Sequence, residues 1–189
     1  MILQEGEYSV YTDGSCRGGA GGWGFVIIGR GRHVYGYGGL LNCTNNQAEM
    51  MAAIMAMKCF KGDNTIIVTT DSMYLRNGMC MHLYKWERKG YIGTSGAPIK
   101  NIPLWGDLYK LQIDQAPTWE WVKGHSGDHY NEIADKLALK GRSYVEDARK
   151  SKKKVTSTHD FCEISDSKCK CKSFYINGNP KIYYEDING

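Results

Sequence analysis

The sequence predicts an α/β protein, with a central mixed sheet carrying helices on its faces. Three observations lead there. Three strand-like segments near the N-terminus are joined by short glycine-rich connections, the pattern of an antiparallel meander. A segment of helical period follows, and after it comes "NTIIVTTDS", a β-branched run that does not alternate and so fits a buried parallel strand. Helix and strand patterns keep alternating beyond that point, giving the order βββαβααβα.

Residues 7–12, "EYSVYT", alternate as a strand does, and "WGFVII" (23–28) and "RHVYGYGGLL" (32–41) read as two more, joined by "GRG". Residues 44–60, "TNNQAEMMAAIMAMKCF", read as a helix. Thr44 with Gln47 three positions on makes a capping box, and Met51, Ile54, Met55 and Cys59 share one face. The fourth strand is 64–72 and ends on Asp71. Residues 73–90 read as helical with a break at Gly78, and 102–113 as a further helix with Pro103 in its first turn. "TWEWVKGH" (118–125) is a strand, and "DHYNEIADKLALKG" (128–141) a helix closing at Gly141. After Tyr144 the character changes. Residues 146–158 are polar and basic, a linker or a fraying helix end, and 159–189 form a small extension in which "SFYINGNPKIYY" looks like a hairpin around "NGNP".

A length of 189 residues accommodates one domain plus a short extension, and 42% hydrophobic with 23% charged residues is the profile of a soluble globular chain. The N-terminus lacks a basic segment followed by an apolar run, and no apolar run could span a bilayer. The expected setting is therefore intracellular and cytoplasmic, with no membrane partner; a viral or phage source fits as well. Seven cysteines, an odd number at scattered spacings, read as reduced thiols. A net charge of +4 is compatible with a polyanionic partner.

Asp13 ends the first predicted strand. A buried carboxylate there is costly unless an arginine, a lysine or a metal ion meets it. Three more acids stand at comparable places: Glu49 near the start of the first helix, Asp71 at the end of the fourth strand, and Asp135 on the last long helix. Acids at strand C-termini are well placed for a site at the edge of an α/β sheet. Carboxylate oxygens are what Mg²⁺ prefers, and several of them balance a pair of cations. The bland alternative is four solvated acids at element ends.

The segments "YTDGS", "TNNQAEMMAAIMAM", "TTDSMYLRNG", "YKWERKGY", "IKNIPLW", "WEWVKGHSG" and "NEIADKLA" occur in the order and approximate spacing of type 1 ribonuclease H, which the chain resembles over roughly residues 7–145. The resemblance implies a ribonuclease H-like fold: a central mixed five-stranded sheet, its first three strands antiparallel and the fourth and fifth parallel, flanked by helices. It implies a catalytic domain at 1–145; beyond it, residue character alone marks off a basic linker at 146–158 and a small C-terminal extension at 159–189. It also implies an endonuclease that hydrolyses the RNA strand of RNA–DNA hybrids with two Mg²⁺ ions, Mn²⁺ often substituting, to give 5′-phosphate and 3′-hydroxyl products.

Carried over by motif, Asp13, Glu49, Asp71 and Asp135 match the four metal-binding acids. His125 in "KGHSG" matches a mobile-loop histidine that helps turnover, and Glu132 matches an acid beside the metals. Gly14, Ser15 and Cys16, with Asn45, Asn46 and Gln47, resemble the set that reads RNA 2′-hydroxyls in the minor groove; helix capping is the plain reading of the asparagines. Thr44 and Asn101 match a pocket for a DNA phosphate. Lys85, Trp86, Arg88 and Lys89 match a basic protrusion, with a core role as the competing reading of Trp86. Phosphate contacts do not read sequence, so cleavage is expected to be largely sequence-independent and salt-sensitive. Departures from bacterial members are a short "CRGGAGG" loop, Met73 in place of Gln, and His82 and Tyr91 in place of Trp; they touch substrate contacts rather than the chemistry.

The resemblance ends before the extension. There His159, Cys162, Cys169 and Cys171 are spaced H-x2-C-x6-C-x-C, four soft ligands that could hold tetrahedral Zn²⁺. Reduced cysteines in a strand-rich cap, or an element for binding hybrid or a partner with "RKSKKK", are the alternatives. For the whole chain, two other classes compete with the hybrid nuclease: a non-catalytic hybrid-binding module, and a nuclease or integrase acting on DNA. Intact acids argue against the first, and "TNNQAE" and "KGHSG" against the second. The partner expected is an RNA–DNA hybrid, with the chain a monomer and no protein partner legible.

Overall fold

The computed structural model describes residues 2–150 and 181–186. A six-stranded sheet runs in the order β5-β4-β1-β2-β3-β6. Its strands are β1 (Glu7–Arg17), β2 (Ala20–Gly29), β3 (Arg32–Leu41), β4 (Thr65–Thr70), β5 (Thr118–Trp121) and β6 (Lys181–Asp186). The antiparallel meander β1-β2-β3 is as the glycine-rich turns predict. The parallel additions of β4 to β1 and of β5 to β4 complete the expected five strands. The sixth comes from the extension, antiparallel along the edge of β3. The rest of the anticipated hairpin, and the proposed zinc ligands His159, Cys162, Cys169 and Cys171, lie outside the described residues.

Helix α1 (Asn45–Met57) has the predicted capping box, with Thr44 and Gln47 exchanging side-chain and backbone hydrogen bonds. It carries Met50, Ile54 and Met57 into a core shared with Val10, Phe25, Leu75 and Trp105. Residues 73–90 are not one uninterrupted helix. Helix α2 (Met73–Asn77) passes into a π-helical turn (Gly78–His82) and then α3 (Leu83–Arg88). Gly78, where a Cβ would strike the indole of Trp105, is the residue at which the α-helix gives way to the wider turn. Trp105 sits on α4 (Ile102–Gln115), which has Pro103 in its first turn as expected.

Helix α5 (His129–Lys150) differs most from expectation. Gly141 does not end it, and the helix continues to Lys150, into the stretch from 146 read as a linker or a fraying helix end. Gly141 instead marks a close approach, since a Cβ there would collide with the Gly38 backbone. The sheet answers with glycines of its own. Side chains at Gly22 and Gly24 would run into the α5 backbone around Ala134, Ala138 and Arg142, and one at Gly39 into Val145. Alternate residues of β1 face opposite layers: a Cβ at Gly14 would meet α1, whereas Tyr11 contacts Tyr130 and Ser15 contacts Arg142, both on α5.

Candidate active site

Asp13 is not at the end of its strand. β1 continues to Arg17 because its pairing with β2 continues, Asp13 lying opposite Gly24. What ends near Asp13 is the parallel ladder to β4, whose last pair is Thr12 with Thr70. Asp13 and Asp71 each follow that last pair, so the two strands deliver both carboxylates to the point where their ladder stops. Glu49 comes from α1. Gly14 makes this contact possible, because any side chain there would overlap Ala48 and Glu49. One carboxylate oxygen from each of Asp13, Glu49 and Asp71 lies within 4.8 Å of the others.

Two of these acids are nearly covered, Asp13 at 6% and Glu49 at 5% exposure. Burial, and then the neighbouring Asp71 and Asp135, push the Asp13 carboxyl up to about 8, against a hydrogen bond from Gly14 N at 2.6 Å. Burial followed by Asp13 and Asp71 holds Glu49 well above the usual carboxylate range. Asp71 is raised by burial, with a hydrogen bond from Asn131 opposing. The charges that raise Asp13 are other carboxylates, so either a retained proton or a bound metal ion would relieve them. The residues fit a metal ion: their donors are hard oxygens, and Glu49 Oε2 is buried without a hydrogen-bond partner.

The first turns of α5 complete the surroundings. Asp135 stands beside Asp13, where its charge helps to raise the Asp13 carboxyl. His125 Nδ1 lies 4.0 Å from Asp135 Oδ2, with the histidine side chain 82% exposed. The loop that carries it has His125 itself and Gly127 at positive φ. Glu132 is half-buried in the first turn of α5. Asn131 was not singled out by sequence reasoning, yet it is buried and bonds Asp71. The signal was available, because it precedes Asp135 by one helical turn on the same face. Trp121 is a second such residue, its Nε1 donating to the Asp71 carbonyl at 3.0 Å.

The expected groove-reading residues divide. Asn45 ties the site together: its Oδ1 accepts from Cys16 N at 3.0 Å and its Nδ2 donates to Glu49 Oε1 at 3.3 Å. Gln47 uses its side-chain oxygen in the capping box, accepting from Thr44 N at 2.8 Å. Asn46 and Thr44 are exposed, and Ser15 and Cys16 half-buried. Asn101 adopts a left-handed conformation at the start of α4 and donates to Tyr74 Oη at 3.1 Å. On α3, Lys85 and Arg88 are exposed, as is Lys89 just after it. Trp86 packs on Trp105 with ring centres 5.1 Å apart, so the core reading of this residue fits its position; the more open ring is Tyr84, at 51% exposure.

Comparison with known proteins agrees with this architecture. A family model described as RNase H matches residues 5–143. A ribonuclease H of Coxiella burnetii (strain Dugway 5J108-111) is 45% identical over 134 residues, covering 70% of this chain and 87% of that protein. One from Maricaulis maris (strain MCS10) is 42% identical over 136 residues, covering 70% of this chain and 91% of the relative. The crystal structure of LC9-RNase H1, a type 1 RNase H with the type 2 active-site motif, is similar with a TM-score of 0.67 at 28% identity, covering 76% of this chain and 75% of that one. A foamy viral protease-reverse transcriptase in complex with RNA/DNA hybrid shares the fold, with a TM-score of 0.62 at 22% identity over 72% of this chain and 20% of that chain. With a family model matched over residues 5–143, and relatives 42–45% identical across about 70% of its length, the chain belongs to the ribonuclease H family.

Proposed function

We propose that residues 1–145 are the catalytic domain of an endonuclease that hydrolyses the RNA strand of RNA–DNA hybrids, leaving a 5′-phosphate and a 3′-hydroxyl. The observation that carries this reading is the trio Asp13, Glu49 and Asp71, gathered within 4.8 Å with two members buried. Nothing structural requires three repelling acids to share one buried place. Asp13, Glu49, Asp71 and Asp135 would hold two Mg²⁺ ions, or Mn²⁺ in their place. When bound, such a pair supplies activation of a water for in-line attack on the phosphate and neutralises charge on the departing 3′ oxygen.

The chain's own groups do the rest. Asn131 and Gly14 N donate to Asp71 and Asp13, favouring the ionised, ligating form of each acid. Asn45 aims Glu49 by holding Oε1. His125, exposed and beside Asp135, is placed to carry a proton between the site and solvent, and Glu132 stands one turn from that contact. Gly14, Ser15, Cys16, Asn45, Asn46 and Gln47 would lie along the RNA minor groove. Thr44 and Asn101 would meet the DNA strand, and Lys85, Arg88 and Lys89 its phosphates, with Trp86 supporting α3.

The test is cleavage of a labelled hybrid in Mg²⁺, with RNA–RNA and DNA–DNA duplexes alongside. Wild type should cut only the hybrid's RNA, and Asp71→Asn should bind without cutting. A wild type that binds the hybrid and cuts nothing in Mg²⁺ or Mn²⁺ would overturn this reading in favour of a binding module.

A further inference from the structure

The last turns of α5, from Arg142 onward, straddle residue 143, where the family match ends, and grip the end of β1. Arg142 Nη1 donates to Ser15 Oγ at 2.5 Å. Arg142 Nε stands 3.4 Å from Glu146 Oε1, one helical turn on. Glu146 also accepts from Arg17 Nη2, at 3.1 and 3.2 Å on its two oxygens. Arg149 donates to the carbonyls of Gly18 and Gly19 at 2.9 and 3.1 Å, fastening the β1-β2 turn to the same helix. Arg142 and Glu146 have side chains only 19% and 21% exposed, so their attraction is screened less than that of a surface pair; Arg17, at 72%, is a rim contact.

The donor count gives this arrangement a chemical meaning. A serine hydroxyl has one proton and two lone pairs, whereas a guanidinium only donates. Arg142 occupies a lone pair of the hydroxyl, and no hydrogen bond donated by Ser15 Oγ is found among the described residues, so its proton is left to donate elsewhere. Ser15 lies on the part of β1 assigned above to the RNA minor groove, where each ribose offers a 2′-oxygen that DNA lacks. We propose that Arg142, braced by Glu146, is a positioning residue that fixes the Ser15 hydroxyl as a donor toward an RNA 2′-oxygen and so sharpens discrimination of hybrid from DNA. This inference rests on the hybrid-cleaving reading and deepens it.

The experiment measures affinity by fluorescence anisotropy with Asp71→Asn, which leaves RNA intact, on a hybrid and on a DNA–DNA duplex of the same sequence. Adding Arg142→Met should weaken hybrid binding about three- to tenfold and leave DNA-duplex binding within about twofold. Arg142→Lys should recover part of the loss, since lysine still donates. Glu146→Gln should show the same selective loss, smaller. With Ser15→Ala already present, Arg142→Met should add nothing. Equal weakening on both duplexes overturns the proposal, as does a loss that persists undiminished beside Ser15→Ala. Should Arg142→Met fail to fold, Glu146→Gln with and without Ser15→Ala carries the same comparison. Wild-type cleavage is scored separately: if wild type cuts the hybrid while Arg142→Met binds it normally, the positioning role alone falls; if wild type does not cut, both readings fall.

Discussion

Gly14→Ala is the most economical probe of how the site is assembled. A Cβ at Gly14 would lie 2.7 Å from Glu49 Cα and nearer still to Glu49 N. Ordinary contact requires about 3.4 Å, so α1 must retreat from β1 by roughly 1 Å, and Glu49 retreats with it. Overpacking of this kind costs about 1–3 kcal/mol, which for a chain of this size lowers Tm by roughly 2–12 °C. Displacing one member of a catalytic set by about 1 Å can cost about 10²-fold in rate. The assay is the turnover rate on a hybrid in saturating Mg²⁺, well below the variant's Tm, paired with thermal unfolding. Gly106→Ala on α4 is the control, because the nearest atom to its Cβ is 3.8 Å away and the helix should gain up to about 1 kcal/mol. A Gly14→Ala protein with wild-type rate and Tm would refute the claim that backbone contact sets the position of Glu49.

Other outcomes follow from the same geometry. Asp13 is raised to about 8 in the folded protein, above its unfolded value of 3.8, so the metal-free fold binds the extra proton. Its stability should fall as pH rises from about 4 to about 8, by a few kcal/mol at most, and Asp13→Asn should flatten that slope in thermal melts with EDTA. Mg²⁺ binding must displace this proton, so calorimetric affinity should rise with pH over the same range and level off above it. Asn131→Ala removes the donor to Asp71 and should raise the Mg²⁺ needed for half-maximal cleavage by about 10-fold or more. Gly141→Ala should destabilise by about 1–3 kcal/mol although alanine is the better helix former, because the methyl meets the Gly38 backbone; a more stable variant would refute the close approach.

What the sequence made legible was mostly local. Thr44 and Gln47 reveal a helix start because a capping box is contained in four residues. The β3 boundaries were legible because tight turns and alternation bracket them. Asp13 looked like a terminus because apolar alternation stops at "DGS", but pairing with β2 carries the strand on, and that partner is remote in sequence. Gly141 looked like a helix stop because glycine usually is one. Its purpose is visible only beside Gly22 and Gly38, brought there by the sheet. Of the candidate site, the acids were legible through their motif. Asn131 was within reach of the same reading, one helical turn before Asp135, whereas the work of Trp121 depends on β5 lying beside β4 and that of Arg142 and Glu146 on which strand α5 lies against, and no periodicity records those partners.

The glycine seam between α5 and the sheet has a consequence for how the molecule tolerates change. On the α1 side, away from the single backbone contact at Gly14 that seats Glu49, layers meet through Met50, Met57, Phe25 and Trp105, flexible or bulky groups that can re-settle when a neighbour changes. On the α5 side around Gly22, Gly24 and Gly141 the layers meet backbone to backbone, with no compressible padding between them. The span from Asp135 to Asp13 is thus gauged by main-chain thickness, which every sequence shares. Substitutions, warming or pressure can rearrange the opposite layer and leave that dimension unchanged, so drift in the core and constancy at the acids can coexist in one small domain.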